Sequence, residues 1–285
     1  MNIYTPNERP SITEAWNECP FRIVMAGMGD DTVMLIAELY ERGLEPDYIV
    51  FCDTGSEFPH TYKFIDDLRA WMETKQWSKL IILRKFDKFD KPLSVISLCQ
   101  SQGTLPAAAF GSPSCSQRFK TETADKFFNN DSKCWEAWGV NKKGARLNTY
   151  THRILRMVGI NADEPQREAK WKLDDKYVQS FPLYDQDNIN LHESTAVERV
   201  GLYYPGKSSC TICPHLTTNE ILMLKDNYPD KFAEAMSIEN VYLSNADVST
   251  GPKGLGRRDS WATKLERHYK GIKTVEPESC ERCKG

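Results

Sequence analysis

The chain has 285 residues, enough for one large or two modest domains with a substantial core. Its formal charge of −3 gives no overall pull toward polyanions, so any nucleic-acid contact must come from a local patch. The N-terminus lacks a basic stretch followed by an apolar run, and no run approaches the roughly 18 apolar residues of a membrane helix. These features predict a soluble cytoplasmic protein whose nine cysteines serve as metal ligands or reactive thiols rather than as a disulfide framework.

In chain order, residues 21–25 form a short apolar run that predicts a strand, ending in the loop 26–32, Ala-Gly-Met-Gly-Asp-Asp-Thr. Val33, Met34, Ile36, Ala37 and Tyr40 then recur at helical spacing up to Arg42 and Gly43. Residues 47–52 predict a second buried strand, followed by Asp53, Thr54 and Gly55. An amphipathic helix is expected over 59–72, a third strand over 80–83, a short helix over 91–100 and a later strand over 154–159. Strands spaced by helices predict an α/β fold, a doubly wound parallel sheet covered on both faces. Ligands of such sheets bind beyond the carboxyl ends of the strands, where the loops 26–32, 53–57 and 160–164 would converge. After about residue 194 helices dominate (196–202, 219–228, 232–238), with a flexible basic loop at 251–258. The expected division is therefore a nucleotide-binding part over 1–193 and a helical, cysteine-rich part over 194–285.

The first loop offers backbone N–H groups and a helix N-terminus to a phosphate, with Gly27 and Gly29 for close approach, Thr32 for a hydroxyl and Asp31 for a carboxylate, either toward Mg2+ or to shape the loop. It is neither a Walker A loop nor a GxGxxG dinucleotide loop. Arg118 and Lys120 follow Cys115 by three and five residues, and either hold an anionic group or line a solvated helix face. Arg167, after Glu164, invites the same two readings. Arg257 is a candidate to close over a phosphate. Glu57 and Thr61 either contact a ligand or cap the helix that starts near Pro59.

Cys210 and Cys213, with Cys280 and Cys283, form two CxxC clamps able to complete a four-sulfur shell for Zn2+ or a [4Fe–4S] cluster, with His215 as a possible substitute ligand. Cys115 is a buried hydrophobe, a thiol activated by Arg118 and Lys120, or an extra ligand. Cys19, Cys52, Cys99 and Cys134 lack partners at ligand spacing and read as plain core or surface thiols. Trp16, Trp135, Trp138, Tyr203, Tyr204 and Trp261 are candidate stacking faces, most of them expected in the core.

Taken in order, these motifs resemble the phosphoadenosine-phosphosulfate (PAPS) reductase-like branch of the PP-loop ATP pyrophosphatase superfamily. The matching elements are Ala26 to Thr32, Asp53-Thr-Gly55 with Glu57, Pro59, Thr61 and Tyr62, and Cys115 with Lys120. Gly159-Ile-Asn-Ala-Asp-Glu164 with Arg167, Pro182-Leu183 and Cys210-Thr-Ile-Cys213-Pro214 complete the series, the last being similar to uncharacterised, often phage-encoded members. The resemblance implies an adenine nucleotide alpha-hydrolase-like fold that binds ATP or a related adenosine nucleotide through Gly27, Gly29, Thr32, Asp53, Thr54, Gly55, Arg118, Gly159, Glu164, Arg167 and Arg257. It implies catalytic roles for Asp31, Cys115 and Lys120, with Mg2+ as cofactor. It also supports a cluster held by Cys115, Cys210, Cys213 and one C-terminal cysteine, whereas the self-contained pairing of the two clamps supports zinc. The implied chemistry is adenylation or sulfur transfer onto an acceptor such as a nucleic-acid base, with a thiol or sulfur donor protein as partner. The alternatives are sulfonucleotide reduction by a tail cysteine, and a non-catalytic nucleotide- or nucleic-acid-binding protein with structural zinc. Ala26, Met28 and Thr32 stand where the family has Ser, Gly and Ser. Met28 is expected to put bulk where backbone approaches phosphate, and Asp30 to add an unhelpful negative charge unless a metal bridges it.

Overall fold

The computed structural model describes residues 11–77, 79–112, 114–139, 152–161, 175–185, 195–246 and 249–273. Its centre is a five-stranded, all-parallel sheet in the order β3-β2-β1-β4-β5. The strands are β1 (Phe21–Ala26), β2 (Tyr48–Asp53), β3 (Leu80–Arg84), β4 (Ile154–Val158) and β5 (Tyr177–Ser180). The inner strands β1, β2 and β4 are largely apolar on both sides of the period-2 alternation, as burial of both faces requires, while the edge strand β3 is half-buried. Val24, Ala26, Ile49, Phe51, Leu155 and Met157 point to one core, while Ile23, Tyr48, Val50, Cys52 and Ile154 point to another. The first face is covered by α1 (Ile12–Glu18), α2 (Asp30–Glu41), α3 (Pro59–Lys75) and residues of Ala196–Arg199; the second by Glu122–Phe128 and Ser132–Trp138. This is the doubly wound α/β architecture, a parallel sheet covered on both faces, expected from the sequence.

A third core lies beyond the carboxyl edge of the sheet. Phe58, residues of α4 (Val95–Gln102), Leu105 and Phe119 pack there with Ile212, Leu216, Ile221, Leu224, Ile238, Leu255 and Trp261. The C-terminal helices therefore share their apolar contacts with loops that leave the strands.

Several boundaries differ from the sequence reading for local reasons. α4 starts at Val95 rather than 91, because the Ser94 hydroxyl accepts the Ser97 N–H at 2.9 Å and forms a capping box. The helix expected over 232–238 runs Pro229–Asn245, with Pro229 at its first turn. The one expected over 196–202 is only Ala196–Arg199 before Gly201 at φ 85°. Among the described residues no helix is long and apolar enough to cross a membrane.

Candidate active site

β1 and β4 are neighbours although the chain passes through β2 and β3 between them, so the carboxyl ends of β1 and β4 mark the topological switch point. One hydrogen bond spans it: Asn161 Nδ2 donates to Asp31 Oδ1 at 2.5 Å. Asn161 is 7% exposed, and among the described residues its Oδ1 has no hydrogen-bond partner. An unpaired buried carbonyl costs about 1–3 kcal/mol, so a donor from a ligand has a ready place there. Gly159 packs directly on α2, since a Cβ on it would stand 2.9 Å from the Asp31 carbonyl oxygen.

The glycine loop differs from expectation in its details. The Thr32 hydroxyl accepts the N–H groups of Gly27 at 2.8 Å and Met28 at 3.1 Å, so it shapes the loop from within. Met28 is fully buried in the core below the loop, at φ 61°, and its bulk lies away from the loop mouth. Burial of its side chain offsets a left-handed backbone cost of about 1–2 kcal/mol. Asp30 is not an idle charge, because its Oδ1 accepts the Gly206 N–H at 2.8 Å.

At the end of β2, Asp53 is buried and fully engaged. Its Oδ1 accepts from Gly55 N at 2.7 Å and Tyr62 OH at 2.8 Å, and its Oδ2 takes Arg84 Nε at 2.6 Å and Nη2 at 2.5 Å. Asp53 thus staples the strand end. The room left by Gly55 is filled by the chain itself, since a Cβ there would meet Ser94 Cβ at 2.7 Å. Glu57 does not cap α3, whose N-cap is Phe58 without a side-chain bond. Instead its Oε1 accepts the Thr54 hydroxyl at 2.8 Å and lies 3.9 Å from Cys210 Sγ. Thr54 Oγ1 is itself 3.1 Å from that sulfur. Thr61 is buried in α3, and among the described residues its hydroxyl has no partner.

Burial pushes the Glu57 carboxyl above its usual range, against the opposing pull of the Lys120 charge and the Thr54 hydrogen bond. Burial likewise raises the Cys210 thiol well above normal, reinforced by Glu57 and Cys213 and opposed by Thr54 and Lys120. Lys120 and Arg118 sit on a single π-helical turn, Gln117–Thr121, between Ser114–Ser116 and Glu122–Phe128. Such insertions recur at functional sites. The turn is tied to the sheet by Cys52 Sγ to the Lys120 carbonyl at 3.5 Å and by Lys85 Nζ to the Arg118 carbonyl at 2.9 Å.

Cys210 and Cys213 fit a metal or cluster clamp in part. The Cys213 N–H donates to the Cys210 carbonyl at 3.0 Å, closing a turn between them, and Cys115 shares their apolar cluster. Among the described residues no three His, Cys, Asp or Glu side chains come together closely enough to hold a metal. Cys115, Cys210 and Cys213 therefore do not make a ready three-ligand set. Cys280, Cys283, Glu164 and Arg167 lie outside the described residues, as does most of the loop 160–164. Cys19, Cys52, Cys99 and Cys134 are buried core thiols.

The basic loop is built rather than loose. Gly254, Leu255 and Gly256 are buried, and the buried Glu239 Oε1 accepts Leu255 N–H at 2.7 Å and Trp261 N–H at 2.9 Å. Lys253, Arg257 and Arg258 are exposed on its surface. The Arg257 guanidinium lies against Gly111, in the turn that leads to Cys115: a Cβ on that glycine would be 3.5 Å from Nη2. Of the candidate stacking residues, Trp138 and Trp261 are core, whereas Tyr203 and Tyr204 are exposed. A surface hollow bordered by Arg69, Met72, Gln76 and Leu80 lies at the opposite end of β3, away from all of these groups.

No family model and no curated protein matches this chain. Among solved structures, a U34-tRNA thiolase, NcsA, from Methanococcus maripaludis with its [4Fe-4S] cluster is similar over 94% of this chain and 90% of its own, at 13% identity and a TM-score of 0.34. A likeness of that size bears on neither substrate nor cofactor.

The unpaired oxygen of Asn161 and the placing of Glu57 and Thr54 beside Cys210 are the parts that the motifs did not reveal. Asn161 lay inside the quoted Gly-Ile-Asn segment, so its position was visible although its unpaired oxygen was not.

Proposed function

We propose that this chain is a nucleotide-using enzyme that activates an acceptor by adenylation or transfers sulfur to it. ATP or a related adenosine nucleotide would bind at the switch point, with its phosphates toward the positive N-terminal end of α2 and a donor of the nucleotide reaching Asn161 Oδ1. Asp31, positioned by Asn161, would hold Mg2+ on the phosphates. The single observation that carries the reading is the meeting of Cys210 with the β2 loop: its sulfur lies 3.1 Å from Thr54 Oγ1, at the sheet edge that also bears the glycine loop.

In this reading an acceptor oxygen attacks the α-phosphorus, the bond to pyrophosphate breaks, and pyrophosphate leaves. A sulfur nucleophile then displaces AMP from the activated carbon. Lys120, whose charge acts on both Glu57 and Cys210, would stabilise developing negative charge. Cys210 and Cys213, with Cys280 and Cys283 of the tail, would hold the metal or cluster, which supplies either a fold staple or a binding point for sulfur. The exposed Lys253, Arg257 and Arg258 are candidate contacts for a nucleic-acid backbone. We read residues 1–193 as the nucleotide part and 194–285 as the clamp-bearing part.

The test is anaerobic release of labelled pyrophosphate from ATP with RNA or DNA as acceptor and sulfide as sulfur source. Release that requires the acceptor and is lost in Lys120→Ala is expected. No release with any nucleic-acid acceptor, from a protein loaded with its metal, contradicts the reading.

A further inference from the structure

The segment Gly206–Ser208 lies across the glycine loop, held by contacts that the proposed reaction does not use. Asp30 Oδ1 accepts the Gly206 N–H at 2.8 Å, and the Lys207 carbonyl is 3.1 Å from His60 Nε2. A Cβ on Gly29 would stand 3.1 Å from both N and Oγ of Ser208 and 3.3 Å from the Gly206 carbonyl, so the glycine is needed for the segment to pack there. The chain beyond is fixed: Phe58 N–H donates to the Ser209 carbonyl at 3.0 Å and Thr211 N–H to the Ser56 carbonyl at 2.7 Å. The chain before it turns at Gly206, φ 86°, where a Cβ would meet nothing within 4 Å. One end of the segment is thus pinned beside Cys210, Lys207 Nζ pairs with Glu220 Oε1 at 2.7 Å, and the other end turns at Gly206, where no described residue crowds the backbone.

Asp30 is also the first residue of α2, where the helix dipole draws negative charge. Its neighbour Asp31 accepts from Asn161, whose buried Oδ1 has no partner among the described residues, so this end of α2 has an unpaired buried acceptor as well as a helix terminus. An anionic ligand here competes with the Asp30 carboxylate for the same positive end, and like charges at one helix terminus disfavour each other.

We propose that Asp30 is a positioning residue whose carboxylate latches Gly206–Ser208 over the glycine loop, and that the phosphates of a bound nucleotide release this latch. The proposal rests on the nucleotide reading above. Release shifts Lys207 and Ser208 while Ser209 to Thr211 stay fixed, so occupancy of the nucleotide loop is transmitted to the residues just before Cys210.

Two substitutions separate the latch from simple charge. Asp30→Asn removes the charge and keeps Oδ1 as acceptor; Asp30→Ala removes both. Hydrogen exchange of the peptide covering 203–209 is followed by mass spectrometry, with and without Mg·ATP, on the full-length protein. Without nucleotide, Asp30→Ala should exchange about tenfold faster than wild type and Asp30→Asn within about threefold of it, as expected for loss of one hydrogen bond. Mg·ATP should speed exchange in wild type, and Asp30→Ala should bind ATP about fivefold more tightly than Asp30→Asn, because no latch remains to be broken. Equal exchange in all three proteins without nucleotide overturns the latch. ATP binding that leaves wild-type exchange unchanged or slower overturns its release. ATP binding to none of the three proteins refutes the nucleotide reading, and the release with it.

Discussion

Asp53→Asn separates a structural carboxylate from a ligand-binding one. The substitution keeps Oδ1, which accepts from Gly55 and Tyr62, and replaces Oδ2, which receives the Arg84 guanidinium at 2.6 and 2.5 Å. Asp53 is 1% exposed, whereas the Arg84 side chain is 46% exposed and can rehydrate once released. The loss is therefore that of a charge-assisted pair and not of a stranded buried cation, about 2–3 kcal/mol. For a chain of this size that corresponds to a fall in Tm of about 4–12 °C. Calorimetry measures the fall, and titration with Mg·ATP well below the lowered Tm measures affinity. Because both Asp53 oxygens are turned to the protein, ATP affinity should stay within about threefold of wild type. An unchanged Tm combined with affinity lost by tenfold or more would refute the reasoning and restore Asp53 as a direct nucleotide contact.

Thr32→Val removes the acceptor shared by the Gly27 and Met28 amides and should cost about 2–4 kcal/mol in urea unfolding, with Thr32→Ser restoring most of it; a neutral valine variant would contradict the role given to that hydroxyl. Met28→Gly gains backbone relief of about 1–2 kcal/mol but loses a fully buried side chain worth more, so a net loss of about 1–3 kcal/mol is expected, and a more stable variant would contradict this balance. Burial raises the Glu239 carboxyl above its ordinary value of 4.5, against the Trp261 and Leu255 amides and Lys264. Such a group contributes stability that is complete below the unfolded pKa and is lost as pH rises through the folded one, so urea midpoints of Glu239→Gln should fall less than wild type as pH climbs from 4.5; a steeper fall in the variant reverses the sign. Cys210→Ser and Cys280→Ser should lower bound metal per chain equally while Cys115→Ser leaves it unchanged, and metal analysis that finds Cys115 indispensable favours the alternative ligand set.

The sheet was legible because its strands are buried on both faces, so Val24 and Ile23, or Phe51 and Val50, are alike apolar and stand out as short runs. The strand-end loops were legible through their glycines and acids. Partners distant in sequence were not. Asp30 read as an awkward charge because its donor, Gly206, lies 176 residues away. Glu57 read as either a ligand contact or a helix cap, because its contact with Cys210 is made only when the chain returns to pair with 56–58. Gly55 was expected at the nucleotide, and the fold packs Ser94 against it. The basic loop looked flexible from its glycines, yet those glycines let the backbone close on Glu239, which a helix elsewhere provides. Glycine content alone does not distinguish freedom from close packing.

The central claim is that nucleotide binds at the edge where the glycine loop, Asn161 and Cys210 meet. Photolabelling with 8-azido-ATP under saturating and competed conditions, followed by peptide mapping, tests it most directly. Saturable labelling, displaced by ATP, is expected on peptides covering 27–32, 54–61, 159–161 or 204–210. Labelling confined to the hollow around Arg69 and Gln76 at the far end of β3, or none that ATP displaces, would contradict the account.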